Sequence, residues 1–257
     1  MADADLEREN RILERRLHRL EANVARMEEF QESNATLLSR LLEDLEAEKA
    51  RSQQLLLNVL PQRIIDRLNA GETRIADRHE DAAVLFSDFV GFTSISAALT
   101  PAALVDELND LFRSFDAICD ANGVEKIKTV GDAYLAVGGL DGAGLDGAAA
   151  IAEAALAMLE AVGQRTATAA TWQIRIGINT GPIVAGIVGS SKFAYDVWGD
   201  TVNVASRLES TSEPGRIQVS ADLANRLADR FVFEPRGAVD LKGKGARETC
   251  FLVGRRG

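Results

Sequence analysis

Ala83-Val84-Leu85-Phe86-Ser87-Asp88-Phe89-Val90-Gly91-Phe92-Thr93-Ser94 is the stretch on which the reading of this chain turns. Ala83 to Phe86 is too short an apolar run for a typical helix and is rich in strand formers, so it predicts a strand that delivers Asp88 to its end. Gly91 marks the turn that follows. Lacking a Cβ, it lets the backbone amides of Phe89, Val90, Gly91, Phe92 and Thr93 approach an anion closely, and a helix starting after it would aim its positive end there. A carboxylate beside an anion-accepting turn suits a metal ion and a phosphate together.

Val124 to Ala136, Val-Glu-Lys-Ile-Lys-Thr-Val-Gly-Asp-Ala-Tyr-Leu-Ala, supplies the second half. Gly131-Asp132 between two strand-like runs predicts a tight hairpin and places Asp132 beside its turn. If this hairpin joins the first strand in an antiparallel sheet, Asp88 and Asp132 meet at one edge, where their oxygens can hold two hard cations such as Mg²⁺. Lys128, on the strand before the hairpin, and Asp196 offer a cationic donor and an anionic acceptor. That pair fits adenine's pairing edge, and it fits guanine's carbonyl and ring N–H as well. Asn203 and Arg207 are four apart in a predicted helix and so share a face.

Three segments carry a family resemblance: Phe86 to Thr93, Lys126 to Tyr134, and Tyr195-Asp196-Val197-Trp198-Gly199-Asp200-Thr201-Val202-Asn203-Val204-Ala205-Ser206-Arg207. Together they resemble the motifs of class III nucleotidyl cyclases over roughly residues 80 to 255, and several ordered motifs are a far stronger signal than one. The resemblance implies an α+β fold, a ferredoxin-like mixed or antiparallel sheet with covering helices, preceded here by a long coiled-coil helix. It implies adenylate cyclase activity, ATP to 3′,5′-cyclic AMP and pyrophosphate, with two divalent cations (Mg²⁺ or Mn²⁺) held by Asp88, Asp132 and the carbonyl of Phe89. The Lys128 and Asp196 combination looks like adenylate cyclases, whereas guanylate cyclases typically carry Glu and Cys there. By the same resemblance Asn203 orients the ribose, Arg207 stabilises charge growing on the phosphates, and Lys242 binds phosphate, with Lys244 close by as the alternative. In this family the metal aspartates and the base-reading residues of one site come from different protomers, which implies a homodimer with two composite sites.

Composition narrows the classes. With 257 residues and 46% hydrophobic content the chain can bury a substantial core, and a net charge of −10 argues against nonspecific nucleic-acid binding. Cys119 and Cys250 lack metal-ligand spacing and read as reduced thiols. No run reaches the ~18 to 20 apolar residues of a membrane span, and the charged start does not read as a secretory signal. The expectation is cytoplasmic, with any sensor or membrane domain belonging to a longer parent protein.

At the N-terminus, Leu6, Asn10, Leu13, Leu17, Leu20, Val24, Met27, Gln31, Asn34, Leu38, Leu41 and Leu45 alternate by three and four, the seam of a parallel dimeric coiled coil over residues 1 to 50. Asn10, Gln31 and Asn34 are polar interruptions of the kind that fix register. The heptad phase is lost after Leu45, and Pro61 predicts a second helix, Gln62 to Asn69, stopped by Gly71. Residues 51 to 77 thus read as a linker or transducer, and 78 to 257 as the catalytic domain.

Downstream, Thr100 and Pro101 open a helix that ends at Asn122-Gly123. A Gly-rich loop over 138 to 147 precedes a helix from about Ala148 to Val162. Gln173 to Asn179 and Ile183 to Val188 read as two strands around a Gly181-Pro182 turn, and Tyr195 and Trp198 as packing residues. The tail reads as strand Arg216 to Val219, helix Ala221 to Arg230, strand Phe231 to Pro235 and strand Glu248 to Val253. Competing readings are a guanylate-specific cyclase, a non-catalytic nucleotide-sensing or dimerisation module on the same fold, and a coiled-coil adaptor, which leaves the later motifs unused.

Overall fold

The computed structural model describes residues 2–57, 59–141, 144–165, 171–189 and 193–256, with side chains from Arg11 onward, Leu145 excepted. The chain forms two compact units, residues 1–69 and 70–257. In the first, helix α1 spans Ala2–Leu57 and helix α2 spans Gln62–Asn69. Pro61 has no N–H to waste at a helix start, and its carbonyl accepts from the amides of Ile64 and Ile65. Loss of heptad phase after Leu45 does not end α1, because Glu46 to Leu57 are mostly good helix formers and contain no Gly or Pro. Leu13, Leu17, Leu20, Val24, Met27, Leu38, Leu41 and Leu45 are each 54–65% exposed in the single chain. Leu6 and Asn10 lie outside the residues whose side chains are described.

The second unit begins with β1 (Ala76–Phe89), α3 (Phe92–Ala98), α4 (Pro101–Asn122), β2 (Glu125–Val130), β3 (Ala133–Gly138) and α5 (Leu145–Gly163). It continues with β4 (Ile174–Val188), β5 (Ala194–Trp198), α6 (Asp200–Ser210), β6 (Ile217–Ser220), α7 (Ala221–Arg226), β7 (Phe231–Leu241) and β8 (Gly245–Arg255). The strands form one sheet in the order β2-β3-β1-β4-β6-β8-β7, with β5 pairing β4 beside that path. The β4–β6 pair is parallel and the others are antiparallel. The expected mixed α+β architecture is therefore present.

Local chemistry explains the helix ends. The Thr100 hydroxyl accepts from the Ala103 amide at the start of α4, and Gly123 at φ 67° closes it in the left-handed region that a Cβ disfavours. Period-two alternation then divides the sheet. Leu85, Phe89, Tyr134, Ala136, Ile174, Ile176 and Ile178 face Leu111, Phe115 and Cys119 of α4 and the alanine-rich face of α5, forming the main core. Cys119 is buried there, which pushes its thiol up to about 11, and both described cysteines are free. Among the described residues no helix is long and apolar enough to cross a membrane.

One expectation fails. Gly181-Pro182 is not a turn: β4 runs unbroken from Ile174 to Val188. The register against β1 passes from Ile183↔His79 to Gly181↔Ala82, so Pro182 sits where the ladder is interrupted and its missing donor costs nothing. Its carbonyl instead accepts from the Thr201 hydroxyl at 2.8 Å. Several lengths also differ. β1 starts seven residues before Ala83, β7 reaches Leu241, α5 begins at Leu145, and α7 stops at Arg226.

Candidate active site

The β1–β4 register sets Asp88 directly opposite Arg175, and the β1–β3 register, Ser87↔Tyr134, brings the Gly131-Asp132 turn to the end of β1. Asp88 Oδ2 accepts from Arg175 Nη2 at 2.8 Å, and Arg175 Nε donates to Glu209 Oε1 at 2.6 Å. Asp132 lies beside Asp88; burial first, then the neighbouring Asp88 carboxylate, raise the Asp132 carboxyl above the usual carboxylate range. Burial is also the main cause that raises Glu209, with Asp88 and Asp132 adding to it and Arg175 opposing. The two aspartates are thus brought together as expected.

This donor set fits divalent cations. Two adjacent hard carboxylates repel until a cation lies between them, and Mg²⁺ is commonly held by one or two carboxylates completed by substrate phosphates rather than by an all-protein cage. Among the described residues there is no cluster of three or more His, Cys, Asp or Glu side chains that could form such a cage. The Phe89 ring is 2% exposed and packs against Phe112, Phe115 and Trp172, which leaves only its backbone to face the site.

Helix α6 crosses the opposite side of the sheet from α4, and Gly177 makes room for it. A Cβ built on Gly177 would lie 2.0 Å from the Glu209 amide nitrogen and 2.5 Å from the Ala205 carbonyl. This close approach places Glu209 over Arg175, two residues away on the same face. The start of α6 is pinned by Asn179 Nδ2 donating to the Thr201 carbonyl at 3.2 Å. Thr201, Ala205 and Leu208 are buried, while Asn203 and Arg207 lie together on the exposed stripe. Gly177→Ala should cost about 3 kcal/mol, the upper range for overpacking between backbones, and lower turnover as α6 shifts. Chemical denaturation checks it; an unchanged midpoint would refute the tight crossing.

At the turn, Gly91 has φ 70° and its carbonyl accepts from Ser94 and Ile95, opening α3. The Val90 amide donates to the Gln173 carbonyl at 2.9 Å and is spent there. The amides of Phe92 and Thr93, in the first turn of α3, have no intrahelical acceptor by geometry. In the turn between β7 and β8, Lys244 Nζ pairs with Asp200 Oδ1 at the start of α6, while Lys242 is exposed.

Lys128 Nζ lies 2.5 Å from Asp196 Oδ2, and Asp196 Oδ1 accepts from the Val197 amide at 2.9 Å. Residues 68 apart in sequence are thus joined as one donor–acceptor unit. Around it, Tyr195 is buried, whereas Val184, Val188, Phe193 and Trp198 are 39–58% exposed. Val184, Val188 and Trp198 share with Asp196 one side of the β4–β5 ribbon.

Arg175 and Glu209 escaped the motif reading. A lone arginine inside Ile174-Arg175-Ile176-Gly177-Ile178 was the available signal for the first, since a charge within an apolar strand calls for a buried partner. Glu209 carried no local signal.

Paired carboxylates at the end of β1, beside the turn at Gly91, are the feature that the fold brings together. Residues 75–254 match the family described as the adenylate and guanylate cyclase catalytic domain, and the chain belongs to that family. It is 46% identical over 214 residues to an adenylate cyclase of Mycobacterium tuberculosis, covering 82% of this chain and 48% of that protein. It is 41% identical over 250 residues to retinal guanylyl cyclase 1 of Bos taurus, covering 95% of this chain and 22% of that protein. Among solved structures, the guanylate cyclase domain of RhGC from Catenaria anguillulae in complex with GTP superposes with a TM-score of 0.67 at 38% identity, covering 70% of this chain and all of that one. The chain therefore spans about half or less of the curated relatives' length, and those relatives include both purine specificities.

Proposed function

We propose that this chain is an adenylate cyclase, converting ATP to 3′,5′-cyclic AMP and pyrophosphate in a homodimer. The observation that carries the choice of purine is the Lys128–Asp196 pair, a cation and an anion held at 2.5 Å where adenine's ring nitrogen and amine would be read. Two divalent cations, Mg²⁺ or Mn²⁺, held by Asp88, Asp132 and the Phe89 carbonyl, would neutralise the triphosphate and acidify the ribose 3′-hydroxyl when bound. The chain's own groups do the rest. Asn203 orients the ribose, and Arg207, a planar fork one turn further along the same exposed stripe, meets charge that grows on the phosphates. Phe92 and Thr93 offer amides to phosphate oxygens, and Lys242 adds a point charge that Lys244, committed to Asp200, cannot.

The dimer rests on two surfaces. The α1 seam exposes a row of large apolar side chains that a second copy would cover, and the β4–β5 patch lies beside Asp196, so a partner covering it adjoins the base-reading pair. A product assay with ATP and GTP in parallel, with Mg²⁺ or Mn²⁺ and across protein concentration, tests substrate, cation and assembly together. Turnover of GTP alone would overturn the choice of purine, and no turnover of either would overturn the enzyme. The double replacement Lys128→Glu with Asp196→Cys should reverse the preference toward GTP by about a hundredfold in relative kcat/KM, since a mismatched polar pocket leaves groups unpaired.

A further inference from the structure

We propose that Lys126, Asp116 and Tyr134 act as a positioning knot which, through a one-residue bulge at Ile127, sets the reach of Lys128 to Asp196 and with it the choice of purine. This rests on the base-reading role given above to Lys128 and Asp196. β2 is an edge strand with β3 as its neighbour in the sheet, so little else in the ladder disciplines it. From the turn inward, Val130↔Ala133, Thr129↔Tyr134 and Lys128↔Leu135 pair in regular register. From the other end, Glu125↔Val137 and Lys126↔Ala136 do too, and Ile127 is left over between the two runs. Residues two apart in a regular strand share a face; the surplus residue sends Lys126 and Lys128 to opposite faces.

Lys126 is held on the helix side. Its ammonium lies 2.7 Å from Asp116 Oδ1 and 2.8 Å from Oδ2, on α4, and 5.2 Å from the centroid of the Tyr134 ring. The fully buried Tyr134 donates its hydroxyl to the same Asp116 Oδ1 at 2.7 Å. One carboxylate on α4 therefore ties down both strands of the hairpin. Lys128 is turned to the other face, that of Leu135, Phe86 and Asp88.

Distance shows why this matters. β2 and β5 are separated by β3, β1 and β4. In a flat sheet, four spacings at roughly 4.8 Å and the nine to ten residues between the ladder row of Lys128 (Leu135↔Phe86↔Gly177) and that of Asp196 (Gly186↔Ala76) at roughly 3.3 Å would hold them about 36 to 38 Å apart, yet the Lys128 and Asp196 side chains touch. The sheet must curl to close this gap, and a bulge is a device that increases local twist. The bulge in β2 bends one end of the span. The irregularity in β1 between His79 and Ala82 bends the other.

The test is the ratio of kcat/KM for ATP to that for GTP in the full chain, with Lys128→Met as benchmark. Lys126→Met should lower the ratio about tenfold, the effect of one misplaced hydrogen bond, and Lys126→Arg should restore it to within about twofold. Deletion of Ile127 keeps Lys128 opposite Leu135 but removes the added twist, and it should lower the ratio by a similar factor. Overturning results are a Lys126→Met protein with both nucleotides slowed equally, or an unchanged ratio in a folded Ile127 deletion, while Lys128→Met still shifts it. An unchanged ratio in Lys128→Met brings down the base-reading role itself, and this inference with it.

Discussion

Asp88→Ala and Asp132→Ala should each lower cyclisation by about a thousandfold or more, a loss of roughly 4 kcal/mol of transition-state stabilisation, while leaving the dimer folded. Their stability effects should have opposite signs. Asp88 is the partner of Arg175 at 2.8 Å, in a pair whose side chains are 31% and 19% exposed, so its loss leaves Arg175 with Glu209 and should cost about 1 to 2 kcal/mol. Asp132 instead pays for its position, because burial and Asp88 both hold its carboxyl above the usual range. For a group whose folded pKa is raised, the favourable contribution is complete at pH below the unfolded value and is lost as pH rises through the folded one. Above the folded value the metal-free protein carries that cost, so there Asp132→Asn should melt higher than the parent. Added Mn²⁺ should raise the melting temperature of the parent and of neither variant. Retained turnover in either alanine variant, or an undiminished Mn²⁺ shift in both, contradicts the assignment.

Where the sequence was legible, short-range chemistry did the specifying. Gly131-Asp132 announced a hairpin and is one; Thr100, Pro101 and Gly123 announced both ends of α4; Pro61 announced the start of α2. Asp88 and Asp132 sit in such signals, a strand end and a hairpin turn, whereas Lys128 and Asp196 are singled out only by resemblance, and it is the folded sheet that joins them. Pro182 misled because a Gly-Pro pair is also tolerable inside a strand wherever the neighbouring ladder skips a bond, and nothing local reveals a skip in β1. The first half of β1, Ala76 to Asp81, was invisible for a related reason. Its charged residues alternate between exposed and half-buried and never form an apolar run.

Arg175 and Glu209 belong to a different category. Asp88↔Arg175 is a matter of strand register, and Glu209 joins them because α6 presses onto Gly177, so both contacts exist only once the sheet has formed. The bulge at Ile127 is similar. Spacing alone puts Lys126 and Lys128 on one face, and the extra residue divides them between the ion pair with Asp116 and the ion pair with Asp196.

Mixing two dead proteins should revive activity. If the aspartates of one protomer serve the same site as Asn203 and Arg207 of its partner, a dimer of an Asp88→Ala chain with an Arg207→Ala chain contains one site with both defects and one with neither. Random pairing of equal amounts makes half of the dimers mixed, each with one working site of two, so coexpression should recover about a quarter of parental turnover. Each variant alone should stay near background. The figure is sensitive to geometry, because if both residue sets of a site came from the same chain, every site in every dimer would still carry one defect and nothing would recover. The exposed seam of α1 adds a second reading from the same experiment, since a strong coiled coil locks partners together. Recovery should therefore appear when the chains are made together and be slow when purified dimers are mixed, whereas removal of residues 1–45 should make mixing fast and recovery dependent on protein concentration.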